Sequence, residues 1–171
     1  MKATPRTAHS IARSIADYKL KAPVFPEGMV IIQDTREQTP LFGPRLPKGM
    51  TLCCQKLDTG DYSIAGHQNQ FCIERKGISD LLSFITVERD KTQIKMHRMA
   101  KMEWAALVVE CRESDLYKPY LYSQISPELV RQCLVSFSIR YHVFVYVGIR
   151  ENCQRWCLDH MVKYYKVRHE L

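Results

Sequence analysis

From Phe71 to the C-terminus, short apolar runs alternate with stretches of helical period, and this alternation constrains the fold more than any other feature. Residues 71–75 read as a strand that begins Phe71, Cys72, Ile73. A helix starts near Ser79, where Ile78, Leu81, Leu82 and Ile85 recur on one face. Residues 88–102 continue as a polar helix. Residues 106–109 form another buried strand, ending at Glu110. Ser126-Pro127 supplies a capping serine and a first-turn proline for the next helix. Its apolar stripe is Val130, Cys133, Leu134, Phe137 and Tyr141. Residues 143–147 are a strand closed by Gly148, and Leu158, Met161, Val162 and Tyr165 face inward from a last amphipathic helix. Strands and helices in this order predict an α/β protein, a mixed or parallel sheet flanked by helices.

The N-terminal half supplies the remaining strands. Residues 29–32 are a short apolar run ending in Gln33-Asp34-Thr35-Arg36-Glu37, the pattern of a buried strand with acids at its tip. Residues 38–49 hold three prolines and two glycines and form a loop. Residues 50–57 and 61–65 are strands separated by Asp58-Thr59-Gly60, and Gly66-His67-Gln68-Asn69 is a hairpin turn leading into residue 71. The organisation expected is one domain over residues 29–171, preceded by a basic arm over residues 1–28. Its first 22 residues set Lys2, Arg6, Arg13, Lys19 and Lys21 against Asp17 and lack the apolar core of a secretory signal. It faintly resembles an organellar transit peptide; the plainer reading is a short helical or partly disordered segment that touches DNA or packs on the domain.

The net charge of +7 favours a polyanionic partner, with nucleic acid as the default and plain solubility as the alternative. No apolar run approaches the roughly 18 residues of a membrane span. The seven cysteines are odd in number. Cys53 and Cys54 are adjacent, and Cys153 and Cys157 lack a second pair that would complete a zinc site. All seven read as reduced thiols of an intracellular protein, cytoplasmic if bacterial or phage-encoded.

The chemistry sits in Gly60-Asp61 and Glu74-Arg75-Lys76. Glu74 and Lys76 are two apart on a strand and project from one face. A hairpin turning at Gly66–Asn69 brings Asp61 and Glu74 to the same end. Two carboxylates so close imply a bound cation or a raised pKa. Two acids and an amine can hold a magnesium or manganese ion, activate water and neutralise an attacked phosphate. Asp34 and Glu37 can join the same edge. Arg89, Lys91, Lys95, Arg98 and Lys101 lie on the following polar helix and would hold DNA phosphates without reading bases. Glu88, Asp90 and Glu103 interleave with them, so a solvated face is the alternative. Tyr117, Tyr120 and Tyr122 can stack on unpaired bases or cover the sheet edge. The histidines are scattered; His67 lies in the hairpin turn, and no spacing makes it a ligand.

Asp34-Thr35-Arg36-Glu37, Gly60-Asp61, Glu74-Arg75-Lys76 and Asp80 together resemble the nuclease domain of the XPF-type structure-specific endonucleases, which include XPF, Mus-type and archaeal Hef nucleases. That family's signature is an Asp-x-Arg-Glu strand end, Gly-Asp, a spacer, Glu-Arg-Lys, three residues and Asp. The likeness covers roughly residues 29–165, closest to small stand-alone versions of bacteria and phages. It implies a restriction-endonuclease-like core and metal-dependent phosphodiester hydrolysis. It implies an acidic metal cluster of Asp34, Glu37, Asp61 and Glu74 binding Mg2+ or Mn2+. Arg75 would contribute its carbonyl or structural contacts, and Lys76 would polarise the attacking water or the scissile phosphate. Asp80 and Arg36 would be supporting members, ion-paired within the site, with Arg36 also a DNA contact. Glu110 is either an outer acid of the site or a surface glutamate at a strand end.

Eukaryotic and archaeal relatives also carry a tandem helix-hairpin-helix module, whose Gly-x-Gly hairpins do not occur in these 171 residues. Substrate selectivity therefore stays open between branched and single-strand-containing DNA, and an RNA target stays a weaker possibility. The resemblance also implies a homodimer or heterodimer through the C-terminal helices, with Trp156 and Tyr164 at the contact or in the core. A non-catalytic DNA-binding or scaffold subunit is the alternative function.

Overall fold

The computed structural model describes residues 23–43, 46–121 and 123–171. Six strands form one sheet: β1 (Val30–Gln33), β2 (Thr51–Cys54), β3 (Tyr62–Ile64), β4 (Phe71–Gly77), β5 (Trp104–Glu110) and β6 (Phe144–Gly148). Their order across the sheet is β2-β1-β3-β4-β5-β6. The β1–β2, β4–β5 and β5–β6 pairs are parallel, and β3 runs antiparallel to both β1 and β4. The expected mixed sheet is therefore present. Four α-helices flank it among the described residues: α1 (Ile78–Ile85), α2 (Arg89–Met99), α3 (Pro127–Tyr141) and α4 (Arg150–Arg168). A 3-10 turn, Glu113–Tyr117, follows β5.

Period-two alternation along the strands divides the core into two layers. Ile31, Tyr62, Ile64, Phe71, Ile73, Ala106 and Val108 point to one face, against Cys153, Cys157, Leu158, Met161 and Val162 of α4. Cys72, Ala105, Leu107 and Val109 point to the other, against Leu81, Phe84 and Ile85 of α1, Met96 and Met99 of α2, and Val130 and Leu134 of α3. Ser126 caps α3, its Oγ accepting from the Leu129 amide at 3.2 Å. Trp156 and Tyr164 pack within the chain. Trp156 lies against Trp104, Tyr146 and His160, and Tyr164 lies against Phe71 and donates to Glu103. All cysteines of the chain are free thiols. No helix among the described residues is long and apolar enough to cross a membrane.

Of the boundaries that differ from expectation, two bear on the site. β4 runs on to Gly77, because β5 pairs with it through the register Glu74↔Leu107 to Gly77↔Glu110. β2 stops at Cys54, short of residue 57, because the chain there turns in toward Asp34: the Leu57 amide donates to Asp34 Oδ2 at 2.6 Å. Most of the basic arm, residues 1–22, lies outside the described residues, as does Tyr122.

Candidate active site

Gly60 is the device that sets Asp61 against β4. Its φ is +82°, and a Cβ there would lie 2.9 Å from Cys72 Cβ and 3.1 Å from the Ile73 carbonyl oxygen. Only glycine permits both that backbone conformation and that close approach. Asp61 is then fastened on both sides: its amide donates to Ile73 O at 2.8 Å, and its carbonyl accepts from the Asp34 amide at 2.8 Å. Its Oδ2 accepts from the Arg75 amide at 2.7 Å. The β3–β4 register Tyr62↔Ile73 brings Asp61 level with Glu74.

Glu74 is fully buried on the α1–α2 side of the sheet. Its Oε1 receives two ammonium groups, Lys76 Nζ and Lys95 Nζ, each at 2.6 Å. Its Oε2 is buried and has no hydrogen-bond partner. Both amines lie over the Phe84 ring, at 5.3 Å and 5.9 Å from its centroid. Burial first, and then the Glu74 charge, push the Asp61 carboxyl up to about 7, against the opposing pull of Lys76, the Arg75 amide and Lys95. Burial works against the Lys76 charge, but Glu74, Asp61 and Asp80 outweigh it and hold its amine protonated beyond the usual lysine range. Asp80 is exposed in the first turn of α1.

The other expected acids are committed elsewhere. Asp34 accepts at Oδ1 from the Arg36 amide and Nε, both at 2.7 Å, and at Oδ2 from Arg36 Nη2 at 3.0 Å and the Leu57 amide. Glu37 belongs with Arg75, whose side chain alternates to the opposite face from Glu74 and Lys76. Glu37 Oε1 accepts from the Thr39 amide at 2.8 Å and lies 3.6 Å from Arg75 Nη1. Among the described residues no three His, Cys, Asp or Glu side chains are grouped so as to hold a metal ion. The structure thus differs from the expected cluster of Asp34, Glu37, Asp61 and Glu74. Asp61 and Glu74 meet, whereas the Arg36 guanidinium occupies Asp34, and Glu37 lies with Arg75, which strand alternation points to the opposite face of β4.

Arg75 makes structural contacts through its side chain. Its Nε donates to Glu110 Oε2 at 2.7 Å and its Nη1 to Thr39 Oγ1 at 2.8 Å. Glu110 also accepts from Arg150 Nη1 at 3.2 Å, and Arg150 reaches the Pro40 and Leu41 carbonyls. Glu110 is not a free surface glutamate: paired with Arg75 and Arg150, it binds the end of β5 to the loop that follows β1. Arg36, expected as a DNA contact, spends its guanidinium on Asp34 and on the Leu57 carbonyl at 2.6 Å.

Of the cationic helix, Arg89, Lys91, Arg98 and Lys101 are exposed, but Lys95 turns inward to Glu74. Sequence reasoning missed that contact. A signal for it exists: Thr92, Met96 and Met99 are the buried face of α2, and Lys95 borders that face. Tyr117 carries the Arg131 guanidinium 4.6 Å from its ring centroid, and the Tyr120 hydroxyl is buried.

A divalent ion fits what remains. Mg2+ is commonly held by one or two carboxylates, with water and substrate phosphate completing its shell. Asp61 and Glu74 offer two carboxylates, and Glu74 Oε2 is a buried acceptor with nothing to accept. Such an orphaned oxygen is costly unless a cation or water serves it.

The sequence matches the ERCC4 domain over residues 33–147, a span that includes Asp34, Asp61, Glu74, Lys76 and Lys95. Among solved structures the chain is similar to XPF from Aeropyrum pernix, with a TM-score of 0.58 and 17% identity over 80% of this chain and 65% of that one. It is also similar to XPF from Aeropyrum pernix in complex with DNA, with a TM-score of 0.56 and 15% identity over 81% of this chain and 66% of that one. The chain therefore spans just under two thirds of those solved chains, and at these identities the likeness is one of fold. No curated protein sequence matches it. The matched residues carry the whole sheet from the end of β1 into β6, with the Asp61–Glu74 pair at its centre, and the chain belongs to the ERCC4 domain family.

Proposed function

We propose that the domain is a metal-dependent DNA endonuclease that hydrolyses phosphodiester bonds, acting on branched or single-strand-containing DNA in repair, recombination or phage DNA processing. The observation that carries this reading is the buried, unpartnered Oε2 of Glu74 beside Asp61. Membership of the ERCC4 domain family supports it, as does the solved relative in complex with DNA.

Asp61 and Glu74 would hold a Mg2+ or Mn2+ ion. When bound, such an ion lowers the pKa of a water and neutralises charge on the attacked phosphate. Lys76, its Nζ on Glu74 Oε1 and over the Phe84 ring, would act as proton acceptor or as an electrostatic clamp on a phosphate oxygen. Lys95 adds a second positive charge at the same carboxylate. Asp80 helps keep Lys76 charged. Arg89, Lys91, Arg98 and Lys101 supply exposed cations for the flanking phosphates, whose contacts give affinity without sequence preference.

The test is incubation with labelled duplex, flap, fork and single-stranded DNA in Mg2+ or EDTA. Cleavage is expected in Mg2+ only, and its loss is expected in Glu74→Gln and in Lys76→Met. The engagement of Asp34 by Arg36, and of Glu37 by Thr39 and Arg75, favours a second reading, a non-catalytic DNA-binding subunit. DNA binding without cleavage of any of these substrates in Mg2+ would select it.

A further inference from the structure

His67 and His169, 102 residues apart, face each other with their Nε2 atoms 3.3 Å apart. That distance is long for a hydrogen bond. It matches a shared metal: with imidazole nitrogens about 2.0–2.1 Å from a zinc ion, a tetrahedral angle separates two of them by about 3.3–3.4 Å.

Three further observations point the same way. His67 Nδ1 lies 2.9 Å from Gln70 Oε1. An N–H at Nδ1 donating to that oxygen leaves the Nε2 lone pair free, as an outer partner of a metal-binding histidine commonly does. Both rings are held in place. His169 stacks on Tyr165 at 4.1 Å, and His67 meets Tyr164 edge-on at 5.5 Å. Their backbones are fixed too: the Phe71 amide donates to the His67 carbonyl at 2.9 Å, and the His169 amide to Tyr165 O at 3.0 Å. The pair is exposed, leaving room for water ligands.

We propose that His67 and His169 bind a zinc-class transition-metal ion, with water completing the tetrahedron, and that this ion fastens the end of α4 to the β3–β4 turn. The site lies at the opposite end of β3 and β4 from Asp61 and Lys76. It does not depend on the nuclease reading. Its role is structural: it closes a loop of about a hundred residues, and such a link removes conformations from the unfolded chain.

Exposed Cys53 and Cys54 also attract zinc, so the test uses the 171-residue chain carrying C53S and C54S. After EDTA treatment and dialysis it is titrated with ZnCl2 by calorimetry, alongside versions also carrying H67Q, H169Q or E74Q. A 1:1 site is expected that survives E74Q and weakens at least tenfold in H67Q and in H169Q. The Zn2+-induced rise in Tm should vanish in both histidine variants. Should a glutamine variant fail to fold, the parent is labelled with diethyl pyrocarbonate and mapped by mass spectrometry, where Zn2+ should protect both His67 and His169. Unchanged zinc affinity in the histidine variants, equal labelling with and without Zn2+, or a site lost in E74Q and retained in H67Q would overturn the proposal.

Discussion

Lys95 Nζ donates to Glu74 Oε1 at 2.6 Å, on the same oxygen that Lys76 Nζ reaches at 2.6 Å. Helix α2 thereby contributes a cation to a carboxylate 21 residues earlier on β4, while Glu74 Oε2 stays open. A positive charge this close should weaken cation binding. Lys95→Met is therefore expected to tighten Mn2+ binding by roughly tenfold, the scale of one unit charge at this range in a partly screened site. Calorimetric Mn2+ titration of wild type and variant checks it. Cleavage should fall in the same variant, because the phosphate loses a nearby cation.

Asp61 links metal to pH. Its folded pKa of about 7 lies above the ordinary carboxyl value near 4, burial being the main cause and Glu74 the next. Between those values the folded protein holds a proton that the unfolded chain does not, so stability falls as pH rises through the window. The metal-free protein should have a higher Tm at pH 5 than at pH 8. Mg2+ should raise Tm at pH 8 and do little at pH 5. Thermal melts in EDTA and in Mg2+ at both pH values measure this.

Asp34 has the opposite sign. Burial opposes its charge, but the Arg36 side chain and the Leu57 and Arg36 amides bring its pKa down to about 2. The stability it contributes is complete above the ordinary carboxyl value and is lost as pH falls toward about 2. Arg36 is 63% exposed, so screening limits the contribution to about 1 kcal/mol. Arg36→Ala should lower urea stability at pH 6 by that amount and narrow the gap between pH 6 and pH 2.5.

Gly60→Ala should destabilise by about 2–3 kcal/mol, since the added Cβ meets Cys72 Cβ at 2.9 Å and a backbone carbonyl at 3.1 Å at a φ of +82°. Neither neighbour is a flexible side-chain tip. Denaturant melts give the loss. DNA cleavage measured well below the new midpoint should fall as well, because Asp61 follows directly.

The strands and helices were legible because each is written in local apolar periodicity: Phe71, Cys72 and Ile73, then Leu81 and Ile85, then Val130 and Leu134, each facing the core as its spacing requires. The meeting of Asp61 and Glu74 was legible for the same reason, since the hairpin turn and the two-residue repeat set their register. The ion pairing of Arg36 was legible, but the remaining partners of Asp34 and Glu37 were not. Both acids stand at a strand end, as the sequence indicates, but what else takes each depends on Leu57 folding back and on Arg75 pointing to the other face. Lys95 reads as one of several surface cations until α2 is packed against β4.

The sequence by itself determined the order of elements, the two-layered core, and the arrival of one aspartate and one glutamate at the same end of a hairpin, because these follow from spacing within a few residues. Only the tertiary structure decided which charges neutralise one another and which remain open. Lys95 against Glu74, Arg150 against Glu110 and His67 against His169 are contacts between segments 21 to 102 residues apart. No local period encodes them; they exist because packing the helices onto the sheet brings distant side chains within a few ångströms.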